Sequence, residues 1–187
     1  MDPDAMPERM KLSGQKRPAA DEAAGPGALA CPHTLTDIAN NATALNATNP
    51  EALKGVLGAG EPGAAPLKSD ADEQLLVSLN LPQTFKLSAI RLGGPTDGSA
   101  PSTIKLFANK VSMSFDDCED YAPTQTLTLA AADATLPLQL TKFANVSSLT
   151  VFIEGNQGDE ECTQLSRLEL VGVPVHTTNM NDLKKGG

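Results

Sequence analysis

The chain has 187 residues, of which 40% are hydrophobic, and this is enough apolar material for a single domain with its own core. Its 23 acidic and 14 basic residues give a net charge of −9, which argues against the basic surfaces that bind nucleic acid. Aromatic residues make up only 3%, with no Trp and one Tyr, so stacking platforms for bases or sugars are also scarce.

The cysteines give no sign of redox or metal chemistry. Cys31, Cys118 and Cys162 are far apart in the sequence and form no C-x-x-C pair, so we expect reduced thiols. The N-terminus has no signal-peptide core, and no segment approaches the roughly 20 apolar residues of a membrane span. We therefore expect a protein of the cytoplasm or nucleus with no cofactor, metal or membrane partner.

The first part of the chain contains little material for a core. Residues 1–30 are rich in Ala, Gly, Pro and charge, and this composition predicts a disordered extension because it cannot offset the entropy of ordering. Between Thr34 and Leu57, scattered apolar residues that include Leu45 predict one or two short helical turns, with helix starts at Thr34 or Thr36 and at Asn49-Pro50-Glu51. Residues 58–66 are typical of a loop.

From Leu75 onward the pattern predicts strands. Leu75, Val77, Leu79 and Leu81 alternate with Leu76, Ser78 and Asn80, which is typical of a strand with one buried face. Seven or eight short strands without an amphipathic helix between them indicate an all-β sandwich, and the pattern fits both a jelly roll and an immunoglobulin-like topology. The later predicted strands are Phe85–Leu92, Thr103–Phe107, Thr126–Leu129, Leu136–Phe143, Ser148–Glu154 and Gln164–Val171.

Six segments of the sequence form a recognisable series. In order along the chain they are Ser69–Leu76, Ser112–Asp117, Pro123–Gln125, Thr150–Ile153, the acidic loop Asn156–Glu161 and the tail segment Thr178–Lys184. Together they resemble the PITH domain, the proteasome-interacting module at the C-terminus of thioredoxin-like proteins, and no thioredoxin motif accompanies them in this sequence. The resemblance implies a galactose-binding-like jelly-roll β-sandwich at residues 31–184, with its core at about 70–175 and a C-terminal tail at 176–187.

The resemblance also implies a function, which is docking on the regulatory particle of the 26S proteasome. We expect no catalytic activity, because consecutive acids in polar loops are typical of solvated turns, whereas a catalytic acid needs an apolar pocket that raises its pKa. A second hypothesis is that the chain is a structural or accessory subunit of another large assembly, such as a cytoskeletal or ciliary complex.

Two acidic loops and the tail are the candidate partner-binding segments. The loops, Phe115–Tyr121 and Asn156–Cys162, can steer the chain toward a basic surface, although such acids also serve simply to keep a protein soluble. The tail places a Met among side chains that readily hydrogen-bond to backbone, and it either contacts a partner or folds back on the sandwich. The candidate residues are Asp116, Asp117, Asn156, Gln157, Asp159, Glu160, Glu161, Asn179, Met180, Asn181 and Asp182.

Overall fold

The computed structural model describes residues 33–34, 41–57 and 63–175. Within these ranges the chain forms ten strands and two short helices, and no helix there is long and apolar enough to cross a membrane. The strands are β1 (His33–Thr34), β2 (Ala42–Leu45), β3 (Leu67–Lys68), β4 (Leu75–Gly93), β5 (Thr103–Ala108), β6 (Gln125–Thr128), β7 (Asp133–Pro137), β8 (Val146–Ile153), β9 (Gln164–Leu165) and β10 (Arg167–Pro174), and the helices are α1 (Leu53–Val56) and α2 (Phe115–Asp120).

Strand β4 belongs to both layers of a sandwich. Its first half, residues 75–80, pairs with β2 and β8, and its second half, residues 85–93, pairs with β10 and β7. The register shifts between Asn80 and Phe85, a stretch that contains Pro82, which has no N–H to donate to a ladder. The first layer has the order β2-β4-β8-β5-β6, and the second has the order β1-β10-β4-β7.

The main core lies between the two layers and is mostly aliphatic. Alternate residues of each strand enter it, so in β8 the inward side chains are Leu149, Val151 and Ile153, all with no exposed surface. Burying one such side chain stabilises the fold by about 1.5–3 kcal/mol. The second layer contributes Ile90, Leu92, Leu168 and Leu170.

A smaller apolar cluster lies on the outer face of the first layer. Phe107 of β5 and Phe152 of β8 point away from the main core and are covered by α2, whose Cys118 is 1% exposed. The ring of Phe115 meets the ring of Phe152 edge to face, with 6.0 Å between centroids. Strand β8 is therefore buried on both faces at its centre.

The expectation of a loop at residues 115–121 was wrong, because this segment begins with the helix α2. The Ser114 hydroxyl accepts a hydrogen bond from the Asp117 N–H at 3.3 Å, and the Asp117 carboxylate accepts one from the Ser114 N–H at 2.8 Å. This capping box satisfies two backbone donors at the helix start. Phe115 and Cys118 are three positions apart in the helix, so both face the sheet.

Two further segments differ from the sequence prediction. Leu45 lies in β2 and pairs with Leu76 of β4, instead of in a helical turn, while the predicted helical start is confirmed by a 3-10 turn at Pro50–Ala52 followed by α1. The predicted strand Leu136–Phe143 was wrong, because β7 ends at Pro137 and the chain then turns, with the N–H of Phe143 donating to Gln139 O at 3.1 Å. The predicted N-terminal extension at 1–30 and the tail at 176–187 lie outside the described residues.

Candidate docking surface

Three loops meet at the end of the sandwich where β8 ends. They are residues 69–74 before β4, residues 94–102 after β4, and residues 154–163 after β8. The first and third loops are joined at their base, where the Thr163 N–H donates to Ser69 Oγ at 2.9 Å and the Thr163 hydroxyl donates to Glu73 O at 2.6 Å. The loops therefore hold one another in place without help from a ligand.

The second and third loops approach each other through two glycines. The N–H of Gly158 donates to Gly98 O at 2.8 Å, and a Cβ atom added to Gly158 would lie 3.0 Å from the Cα of Gly98. Gly98 also has a φ of +97°, a conformation that residues with a side chain rarely adopt. The close contact between these loops therefore depends on both glycines.

Five carboxylates border two adjoining clefts at this end of the molecule. The clefts have volumes of about 300 and 480 Å³, and both are lined by the three consecutive acids of the third loop. All five side chains are exposed, so together they present a negative field to solvent. The five residues, called the acidic end below, are Glu73, Asp97, Asp159, Glu160 and Glu161.

Asp97 is oriented by Ser99. The Ser99 hydroxyl and the Ser99 N–H both donate to Asp97 Oδ1, the latter at 3.0 Å. These hydrogen bonds, the one from the hydroxyl first, lower the pKa of Asp97 below its ordinary value because they stabilise the charged form. The carboxylate of Asp97 thus remains negative to a lower pH than a free aspartate.

Asn156 and Gln157 support the third loop from within. The Asn156 side-chain amide donates to Glu160 O at 2.7 Å and accepts from the Glu160 N–H at 2.8 Å. Gln157 Nε2 lies 3.0 Å from Ala131 O and 3.1 Å from Pro101 O, which ties the loop to the neighbouring strands. Contact of these two residues with a partner stays a prediction, while their internal bonds fix the acids beside them.

The acids of α2 lie elsewhere. Helix α2 covers the outer face of the first layer, and the hydrogen bonds from Ser114 lower the pKa of Asp117, so that this carboxylate is engaged as a helix cap. Asp116 is exposed beside it. The structure thus brings Asp159, Glu160 and Glu161 together, but no cleft found among the described residues joins them to α2. Asn179, Met180, Asn181 and Asp182 lie outside the described residues.

Sequence reasoning missed Glu73 and Asp97 as members of this surface. Asp97 is a single acid in a polar loop, Glu73 follows Asp72 in another, and the acids near them in space come from segments far away in the chain. The position of Glu73 could have been found from strand pairing. In an antiparallel pair the start of one strand lies beside the end of the other, and Leu75 of β4 lies opposite Ile153 of β8. The loop before β4 and the loop after β8 are therefore at the same end of the sandwich.

The two described cysteines differ in their chemistry from the carboxylates of the acidic clefts. Burial first, and the neighbouring Asp117 second, raise the pKa of Cys118 to about 11, so its thiol is protonated at neutral pH. Cys118 and Cys162 are both free thiols. Within the described ranges, no group of three or more His, Cys, Asp or Glu side chains is arranged to hold a metal ion.

Comparison with known proteins gives a family match over most of the chain. A family model described as the PITH domain matches residues 37–186. Thioredoxin-like protein 1 of Schizosaccharomyces pombe is 39% identical over 128 residues, which cover 64% of this chain and 44% of the relative. PITH domain-containing protein 1 of Homo sapiens is 36% identical over 95 residues, which cover 49% of this chain and 44% of the relative. The chain therefore matches less than half the length of these curated relatives.

Solved structures with the same fold come from carbohydrate-active proteins. The C-terminal domain of a chitobiase from Bacteroides fragilis has a TM-score of 0.53 at 12% identity, covering 77% of this chain and 100% of that domain. A chitosan-binding module derived from a chitosanase/glucanase of Paenibacillus sp. IK-5 has a TM-score of 0.51 at 14% identity, covering 74% and 98%. At such identities the likeness concerns the fold alone, and it confirms the galactose-binding-like jelly roll.

Proposed function

We propose a docking function for this chain, which belongs to the PITH domain family. Its partner in this proposal is the regulatory particle of the 26S proteasome. The observation that carries the choice of surface is the acidic end, where five exposed carboxylates lie on three loops joined by hydrogen bonds. A negative surface that is already ordered orients the approach to a basic patch and speeds encounter, at little cost in conformational entropy.

The state of the carboxylates favours recognition over catalysis. A general acid at neutral pH needs a raised pKa, which requires burial in an apolar pocket. The hydrogen bonds from Ser99 have the opposite effect on Asp97, and the other four carboxylates of the acidic end are exposed. These groups are suited to remain charged in water and to meet a cationic surface.

The test measures binding of the purified chain to isolated 26S regulatory particle at several salt concentrations. In the triple variant Asp159→Asn, Glu160→Gln, Glu161→Gln we expect association at low salt to slow by about tenfold, with a flatter salt dependence and a nearly unchanged dissociation rate, because exposed charges act mainly on encounter. The matched control, Glu51→Gln, Glu119→Gln, Asp120→Asn, changes the net charge equally at exposed positions outside the acidic end.

Two results would overturn parts of the proposal. Equal slowing by the control variant would show that net charge, and not the acidic end, governs association. Failure of the unmodified chain to bind the particle would remove the proteasome as partner. Mass spectrometry of proteins that co-purify from native extract would then decide whether a cytoskeletal or ciliary assembly takes its place.

A further inference from the structure

A third cleft lies on the outer face of the first layer. It crosses β2, β4 and β8, and its volume is about 240 Å³. Its lining extends from Asn80 to Leu45, which pairs with Leu76, so one edge of the cleft approaches the acidic end. No described residue lines both this cleft and the two clefts of the acidic end. The two surfaces therefore consist of different residues.

The base of this cleft is rich in hydroxyl groups that lack good partners. Ser148 and Thr150 are 5% and 1% exposed, and both of their hydroxyls approach the same acceptor, Lys110 O, at 3.5 Å. Hydroxyl hydrogen bonds are usually about 2.7–2.8 Å long, so both contacts are weak. A hydroxyl donates and accepts, and a peptide backbone offers both complementary groups. The cleft, called the hydroxyl groove below, also contains Thr43 and Ser78.

The rim of the hydroxyl groove is apolar. Leu45 is 47% exposed and Val111 is 72% exposed, and both line the groove. In the described part of the chain, only Tyr121 and Leu140 are other large hydrophobic side chains with comparable exposure. Two of four such side chains thus border one cleft, where an aliphatic side chain from another molecule would remove both from water.

One wall of the groove is held in an unusual conformation. Asn109 and Ser112 have φ values of 57° and 56°, in the left-handed region that residues with a side chain seldom occupy. The Asn109 side chain anchors this wall, because it donates to Asn145 O at 2.8 Å and accepts from the Ser147 N–H at 2.9 Å. Such conformations cluster at ligand clamps, where the surrounding structure maintains them. The groove is therefore preformed.

The charge of the groove is opposite to that of the chain. Its lining contains one cation, Lys110, and no carboxylate, although the net charge of the chain is −9. The ammonium group of Lys110 lies 5.0 Å from the centroid of the Tyr121 ring, and it forms no ion pair with another described residue. An acidic side chain of a partner therefore meets attraction here and repulsion at the acidic end.

We infer that the hydroxyl groove binds an extended segment of a partner protein in which an aliphatic residue lies next to an acidic residue. The aliphatic side chain packs between Leu45 and Val111. The backbone of the segment hydrogen-bonds with the accessible hydroxyls of Thr43 and Ser78, and the carboxylate pairs with Lys110. This contact goes beyond the proposed docking through the acidic end and does not depend on it.

The experiment selects binders to the full chain from a displayed library of random peptides. We expect the enriched peptides to share an aliphatic residue beside Asp or Glu, and their affinity is then measured by fluorescence anisotropy. Leu45→Asp weakens binding by about tenfold or more, since it places a charge where the anchor packs. The matched control Leu140→Asp, at a residue 48% exposed outside the groove, leaves affinity unchanged.

A second variant tests the hydroxyls of the groove. Thr43→Val keeps the side-chain shape and removes an exposed hydroxyl, so we expect binding to weaken by about fivefold, which corresponds to about one lost hydrogen bond. NMR amide spectra verify that each variant is folded, and in the unmodified chain they should show peptide-induced shifts at residues 109–113 and 148–150.

Several outcomes would overturn the inference. They are the absence of any enriched motif, equal binding of the selected peptides to Leu45→Asp, displacement of the peptides by inorganic phosphate, and concentration-dependent self-association through the groove. The triple variant of the acidic end serves as the independent arm, since it should bind the selected peptides as well as the unmodified chain does. Loss of one contact is therefore distinguishable from loss of the other.

Discussion

Ser69 and Thr163 lie 94 positions apart in the chain and are joined by two hydrogen bonds, each donated by a backbone N–H. The Ser69 N–H donates to Thr163 O at 3.0 Å, and the Thr163 N–H donates to Ser69 Oγ at 2.9 Å. Both residues are buried, with 1% and 0% exposure, so water does not compete for these groups. The pair is what joins the first and third loops beneath the acidic end.

Replacing Ser69 with Ala should therefore lower the free energy of unfolding by about 1–3 kcal/mol, since the buried Thr163 N–H loses its acceptor. Urea denaturation followed by circular dichroism measures this change. Ser166→Ala, at an exposed serine, is the control and should change stability by less than about 0.5 kcal/mol. An unchanged denaturation midpoint for Ser69→Ala would show that the loops are held by other contacts.

The centre of β8 offers a sharper test of the fold. Val151 has no exposed surface, so Val151→Asp places an unpaired charge in the main core. The variant should therefore be unfolded at room temperature and show no cooperative unfolding transition. Thr126→Asp, at an exposed position of β6, should keep the sheet-dominated circular dichroism spectrum of the unmodified chain. A folded Val151→Asp protein would contradict the described packing of the two layers.

Helix α2 can be loosened at its cap. Ser114→Ala should cost about 0.5–2 kcal/mol, because the Asp117 N–H loses its capping partner. The same change should speed the reaction of Cys118 with a thiol reagent, measured with Cys31 and Cys162 changed to Ser, since this thiol is 1% exposed and its pKa is about 11. Equal thiol reaction rates with and without the cap would mean that α2 does not protect Cys118.

The hydrogen bonds to Asp97 predict a pH dependence. The folded state lowers its pKa below the ordinary value of 3.8, so the charge on Asp97 contributes stability that is fully present above pH 3.8 and is lost as the pH falls through the lower, folded-state pKa. The stability difference between the unmodified chain and Asp97→Asn should therefore be constant near neutral pH and shrink in acid. In a Ser99→Ala background the pH dependence of this difference should be weaker but still present, because the hydroxyl is lost and the Ser99 N–H remains. An unchanged pH dependence there would show that the Ser99 hydroxyl does not contribute to the effect.

The sequence predicted the layers better than their connections. Alternation at Leu75, Val77 and Leu79 marked a strand because only one face of that segment enters the main core. It did not show that the strand continues to Gly93, since the register shift after Asn80 interrupts the pattern. Helix α2 was missed because six residues are too few for a helical period to stand out.

The candidate site was predicted in part for a similar reason. The acids Asp159, Glu160 and Glu161 are consecutive in the sequence, so they could be identified as candidates without the structure. Glu73 and Asp97 join them only through contacts between distant loops, which depend on the fold and not on local composition. Asn156 and Gln157 were predicted to contact a partner because they belong to the acidic loop, and the structure shows that their amides hydrogen-bond to backbone groups of this loop and its neighbours.

The shared strand β4 makes the two layers mechanically inseparable. Its first half pairs with β8 and its second half with β10, so withdrawing this strand removes an interior member of both sheets at once. Partial melting of one layer, with the other left intact, is therefore disfavoured, and the chain should lose its structure in a single step. A tension that pulls on the domain would accordingly leave the acidic end and the hydroxyl groove both present or both destroyed.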